Sequence, residues 1–191
     1  MDAPRIAALE PPFSPAVAEA LQRIMPPGVE PLALFRTLAV NERVFLRFLA
    51  GALLDRGAIS LREREIVIDR TCARCHSEYE WGVHVSFFAQ RARLTEAEVA
   101  ATLAPDPAST PFEPRERLLL RLVDELHDTA AVSDLLWQAL RAEWSEAQLI
   151  ELIALAGLYH MVSFVTNALR IPLEPYGARF HGILTPADPV V

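Results

Sequence analysis

The chain has 191 residues, a formal net charge of -7 and 52% hydrophobic residues, enough for one packed domain with an arm. The acidic balance argues against nucleic acid as a partner, since a binder would carry a basic patch. All 18 basic residues are arginine, so lysine Schiff-base chemistry and a phosphate-loop lysine are excluded.

In chain order the punctuation predicts helices. Residues 14–25 form a short amphipathic candidate closed by Pro26-Pro27-Gly28, and residues 31–39 another. Asn41 is placed to N-cap a helix through residue 56, with Gly57 just past its end. Ser60-Leu61-Arg62-Glu63 is a capping box opening a helix to about residues 72–74, and a second helix covers roughly residues 77–91. Thr95-Glu96-Ala97-Glu98 is another box, its helix stopping before Pro105. Helices near 115–128 and 134–143 follow. Ser145-Glu146-Ala147-Gln148 then opens a long apolar helix to about residue 170, before Pro172. No run of β-branched residues alternates as a strand would. The fold class is all-α. A weak internal echo, a capped helix leading to an aromatic-His segment, links residues 60–84 with 145–160 and hints at duplication.

No uninterrupted apolar run reaches the ~20 residues a bilayer needs; residues 149–158 are short and contain Glu151. The N-terminus shows no basic region followed by an apolar stretch. The expectation is a cytoplasmic protein with no membrane partner, where thiols stay reduced.

CARCHSEYEWGVH, residues 72–84, holds the chemistry. Its Cys72-x-x-Cys75-His76 spells covalent haem attachment, but that needs export and occurs here once. Zinc lacks the second Cys/His pair of a closed tetrahedral site, so no metal is expected. A redox dithiol at Cys72 and Cys75 stands beside a plainer reading of Cys72 as a small buried apolar residue. Glu80 and His84, four apart, share a helical face, and Ser77 lies seven before the histidine. A carboxylate beside an imidazole raises its proton affinity, as in a general acid–base pair or a surface ion pair. If the chain reverses near 75–77, Glu65 lies ~15 Å and His84 ~12 Å from the turn, so the two face each other beside an aromatic-bordered cavity. One unbroken helix would separate them by ~28 Å.

REREIVIDRTCARCHSEYEWGVHV, with the Leu94–Glu98 turn after it and LIELIALAGLYHMVSFVTNALRIPLEP downstream, resembles the carboxymuconolactone decarboxylase/alkylhydroperoxidase D-like superfamily. The likeness rests on the Glu65-to-His84 spacing and the Tyr79-Glu80-Trp81-Gly82-x-His84 block. It implies an all-helical domain over residues 31–175, an N-terminal arm over 1–30 that packs on a neighbouring subunit, and a C-terminal tail over 176–191. It further implies a homo-oligomer: dimer, trimer or hexamer.

In peroxidase members of that group, two thiols precede the histidine at positions occupied here by Ser77 and Glu80. The pair in this chain is displaced to Cys72 and Cys75. The resemblance therefore implies a decarboxylase-like enzyme acting on a small carboxylated, lactone-type substrate, with His84 as general acid or base. Glu65 and Glu80 orient His84 and relay protons, and Ser77 and Tyr79 bind substrate. Arg62, Arg70 and Arg74 are candidates for an oxyacid partner, or else pair with Glu63 and Asp69. No cofactor is implied. The rivals are a thiol-dependent hydroperoxide reductase using Cys72 and Cys75, and a non-catalytic helical scaffold.

Overall fold

The computed structural model describes residues 3–181, which form helices and no strand. In order these are α1 (Pro15–Ile24), α2 (Ala33–Leu38), α3 (Glu42–Ala50), α4 (Leu61–Arg74), α5 (Glu78–Phe88), α6 (Glu96–Ala101), α7 (Pro114–Thr129), α8 (Asp134–Glu143) and α9 (Glu146–Leu169). The boxes at Ser60, Thr95 and Ser145 all form with both reciprocal bonds, satisfying amide groups that a helix start leaves open. Asn41 does cap α3, but that helix stops at Gly51 rather than continuing to residue 56. Beyond it Leu53 and Leu54 are exposed, so a longer helix would have no apolar face to bury.

Helix α4 is the axis of the molecule and packs against α5, α7 and α9. It is an unusual core helix, because Glu63, Glu65, Asp69, Arg70 and Thr71 are buried in it beside Ile66, Val67 and Ile68. Charged groups survive there only with partners. Arg70 supplies two parallel bonds of 2.8 Å to Asp124 on α7 and donates to the Thr102 and Ala104 carbonyls. Arg62 bridges Glu98 and Glu116. Neither arginine pairs with Glu63 or Asp69, the sequence neighbours expected for them.

α9 alone among the described helices is long and apolar enough to cross a membrane by length and composition. It packs against α4, α5 and α8, burying Leu149, Leu152, Leu155 and Tyr159 in the main core. The two segments of the internal echo adopt different forms, a two-helix hairpin at 61–88 and one continuous helix at 146–169.

A second cluster joins α1, α2 and α3 to Tyr79, Val83 and Val162. The N-terminal arm thus packs on its own chain, with Val17, Ala20 and Leu21 buried and the Arg5 amide donating to the Leu169 carbonyl. Residues 176–181, expected to begin a tail, lie across α5. Phe180 packs edge-on to Trp81, and the Ala178 amide donates to the Gly82 carbonyl. Gly82 permits that crossing, since a Cβ there would run into the Ala178 carbonyl oxygen. Residues 182–191 of the expected tail lie outside the described residues.

Candidate active site

The reversal between α4 and α5 is a Schellman ending built from Cys72-Ala73-Arg74-Cys75-His76-Ser77. The Ser77 amide donates to the Cys72 carbonyl at 2.8 Å and the His76 amide to the Ala73 carbonyl at 3.0 Å. His76 takes the left-handed conformation at φ 53°. The C-x-x-C-H letters are therefore a helix end, and Cys72 is wholly buried in the core. A haem thioether at Cys72 would require unpacking that core.

The turn makes α4 and α5 antiparallel. Glu65 and His84 meet across them, with His84 Nδ1 at 2.7 Å from Glu65 Oε2. On the far side of the ring, Nε2 is 2.9 Å from the Tyr159 hydroxyl on α9 and 3.5 Å from Glu80 Oε1. Arg64 completes the string by donating to Glu65 Oε1 at 2.8 Å. Charges thus alternate from Arg64 through Glu65 and His84 to Glu80.

Burial alone would lower the His84 pKa. The Glu65 and Glu80 carboxylates reverse this and hold it up at about 10. The imidazole is therefore a cation at neutral pH, placed to give a proton rather than take one. Tyr159 is held protonated by burial and by the nearby carboxylates.

Ser77 and Tyr79 occupy other roles. The Ser77 hydroxyl bonds Thr166 at 2.8 Å, clamping α5 to α9. Tyr79 donates to Glu174 at 2.6 Å and accepts from the Leu34 amide, fastening α2 and the C-terminal segment to α5. Both sets of partners are structural.

Aromatic rings border His84 as expected, Tyr159 at 5.0 Å and Phe88 at 5.2 Å between centroids. Two clefts lie nearby, and His84 lines neither of them. A cleft of about 210 Å³ lined by Leu54, Arg56, Ile59, Leu61 and Glu151 reaches the network only at Arg64. Another, of about 410 Å³, is lined by Arg74, His76, His127 and Phe180. Glu65, Glu80 and His84 line neither. The cations at the first cleft are Arg56 and Arg64, of which Arg64 touches the network, whereas Arg62, Arg70 and Arg74 are engaged with Glu98, Glu116, Asp124 and Asp128.

Tyr159 and Asp69 carried no signal in the sequence. Tyr159 sits in an apolar helix and reads as core. Asp69 is fully buried one turn after Glu65, and neither carboxylate oxygen has a partner. Despite the opposing His84 cation, burial and then Glu65 push its pKa well up, which favours the protonated acid.

A carboxyl with a raised folded pKa favours folding below its unfolded value near 3.8, and that advantage drains away as pH rises. Holding it protonated costs about 1.36 kcal/mol per pH unit above its ordinary value. Asp69→Asn, which cannot ionise, is expected to gain stability relative to the parent as pH rises above ~4. Thermal melts across that range test this, and a difference constant with pH would rule it out.

Both thiols lie beside this network. Burial raises the Cys72 pKa strongly, with the Glu80 carboxylate adding to it. The Cys75 thiol is half-buried and also pushed up by burial, only partly offset by the Ser163 hydroxyl and Arg74. Both cysteines are free.

The architecture is that of the all-helical alkylhydroperoxidase D-like fold. Residues 41–125, which carry both Glu65 and His84, match the carboxymuconolactone decarboxylase family. Over that stretch the chain is similar to the carboxymuconolactone decarboxylase family, and its fold is similar to that of an alkylhydroperoxidase AhpD core. An uncharacterised peroxidase-related protein of Ralstonia eutropha JMP134, with an alkylhydroperoxidase AhpD core, superposes with a TM-score of 0.81 at 15% identity, over 92% of this chain and 94% of that one. A peroxidase-related protein of Silicibacter sp. TM1040 gives 0.77 at 14% identity, over 94% and 99%. The debrominase Bmp8 gives 0.71 at 15% identity, over 90% and 92%. At such identities the likeness is one of fold. No curated protein matches the chain.

Proposed function

We propose that the chain is a cytoplasmic, cofactor-independent acid–base enzyme acting on a small carboxylated substrate of lactone type. One observation carries the reading: a buried Glu65–His84–Tyr159 hydrogen-bonded string keeps an imidazolium beside Glu80, while both thiols are held protonated. Substrate enters the cleft at Arg64, whose guanidinium exchanges Glu65 for the incoming carboxylate or lactone oxygen. Loss of carbon dioxide leaves an electron pair on carbon, delocalised onto the neighbouring carbonyl as an enolate. Arg64 stabilises that charge. His84 then supplies the proton that replaces the departed carboxyl, passing it through Glu65. Glu80 and Tyr159 hold the ring during the transfer.

Carbon dioxide release from carboxylated lactones, followed with the purified chain, tests this. Turnover that falls in Glu65→Gln supports it. Lactones left intact, together with peroxide consumption that requires both cysteines, would replace it with the thiol reading.

That second reading has an observation of its own: Cys72 and Cys75 are both free and stand three residues apart at the end of α4. The reaction would reduce a hydroperoxide to alcohol and water as the two thiols become a disulfide. Raised thiol pKa values oppose it, because the thiolate is the nucleophile. Thiol titration before and after peroxide decides between the two.

We also propose a homo-oligomer built on the outer face of α9. Ile150 and Phe164 are 70% and 64% exposed. Gly157 between them faces open space where a second helix could approach closely. Phe164→Glu is expected to lower the mass read by light scattering. A parent chain of monomer mass would remove this proposal.

A further inference from the structure

The fold brings together a set of ligand atoms that the sequence keeps far apart. Cys75 closes α4, His127 lies in the last turn of α7, and His160 is in the middle of α9. Their Sγ and ring nitrogens all lie within 4.8 Å of one another. We propose that Cys75, His127 and His160 form a zinc-type metal site, distinct from the Glu65–His84 network, whose fourth position is left to water.

Distances support a metal rather than chance proximity. With Zn–N near 2.05 Å and Zn–S near 2.3 Å, a tetrahedral ion sets N···N at about 3.3 Å and N···S at about 3.6 Å. His127 Nδ1 is 3.0 Å from His160 Nε2 and 3.8 Å from Cys75 Sγ. Shifts of a few tenths of an ångström would bring both pairs onto a common ion.

Orientation supports it too. His160 Nδ1 lies 2.8 Å from the Ala156 carbonyl, which can only accept, so the proton sits on Nδ1. Nε2 therefore presents its lone pair to the cluster, in the arrangement that carbonyl-bound metal histidines use. Cys75 is anchored from the other side, where the Asn167 amide donates to its carbonyl at 2.8 Å. One thiolate with two imidazoles selects a borderline-soft ion over magnesium or calcium, which prefer oxygen. Of the three ligands, His127 lines the cleft of about 410 Å³. The zinc reading of CARCH failed because it sought ligands nearby; His127 is 52 residues beyond Cys75.

Titration of the chelator-treated full chain with zinc chloride against a chromophoric chelator, and with cobalt chloride by absorption, tests the site. One zinc per chain is expected, with a thiolate-to-cobalt charge-transfer band that Cys75→Ser removes. His160→Ala and His127→Ala should each weaken zinc binding at least tenfold. His76→Asn, which lies at the cleft outside the ligand set, should leave it unchanged. Absence of the charge-transfer band in the parent chain, its persistence in Cys75→Ser, or undiminished zinc binding in His160→Ala would each overturn the proposal. The cobalt spectrum of the parent chain decides the matter even where a variant folds poorly.

Discussion

Replacing His84 by alanine is expected to lower turnover by about 10²–10⁴, the range for removing a positioned general acid. It should also cost ~3–5 kcal/mol of stability at neutral pH, because a buried partner is taken from a charged string. Glu65 would keep Arg64, but Glu80 would lose its cation, and Glu80 Oε2 already has no hydrogen-bond partner. The sign of the pH dependence follows from the raised pKa. His84 titrates near 6.5 when unfolded and near 10 when folded, so its contribution is complete below the first value and drains away through the second. The parent chain should therefore lose stability on going alkaline, and His84→Ala should lack that slope.

Stability and catalysis can be separated. The double variant Glu80→Gln/His84→Gln removes charge from both partners and should recover much of the lost stability, with turnover still as low as in His84→Ala. Full turnover in His84→Ala would end the acid–base reading.

The Glu65–His84 pairing was legible because it needs only local arithmetic: one helix end, one turn and equal depths on either side. Tyr159 was not, since nothing in a run such as LIALAGLYHMV separates a hydroxyl aimed at an imidazole from ordinary core packing. Ser77 and Tyr79 show the converse. Their polar atoms were read toward a substrate, whereas the fold spends them on Thr166, Glu174 and the Leu34 amide. Helix periodicity fixes which residues share a face, but not which neighbouring element that face meets. The same gap hid Cys75, His127 and His160, which come together only through the packing of three helices.

Arg70 makes the point energetically. A surface reading allowed it to pair locally or to wait for a substrate oxyanion. It is instead 1% exposed and held by both oxygens of Asp124. Removing Arg70 leaves the Asp124 carboxylate with only the longer 3.5 Å contact to Arg74, so Arg70→Ala is expected to cost ~3 kcal/mol, the low end for a broken buried pair. The Thr102 and Ala104 carbonyls would lose their donor as well. Replacing both charges by apolar residues, as in Arg70→Met with Asp124→Leu, removes the desolvation cost with the attraction and should restore much of the loss. Chemical denaturation of the three chains measures this. Turnover per folded molecule should be nearly unchanged in the double variant, because neither residue borders Arg64, Glu65 or the cleft between them and solvent. A stable Arg70→Ala protein that had lost only substrate affinity would return Arg70 to the oxyanion role and remove it from the structural one.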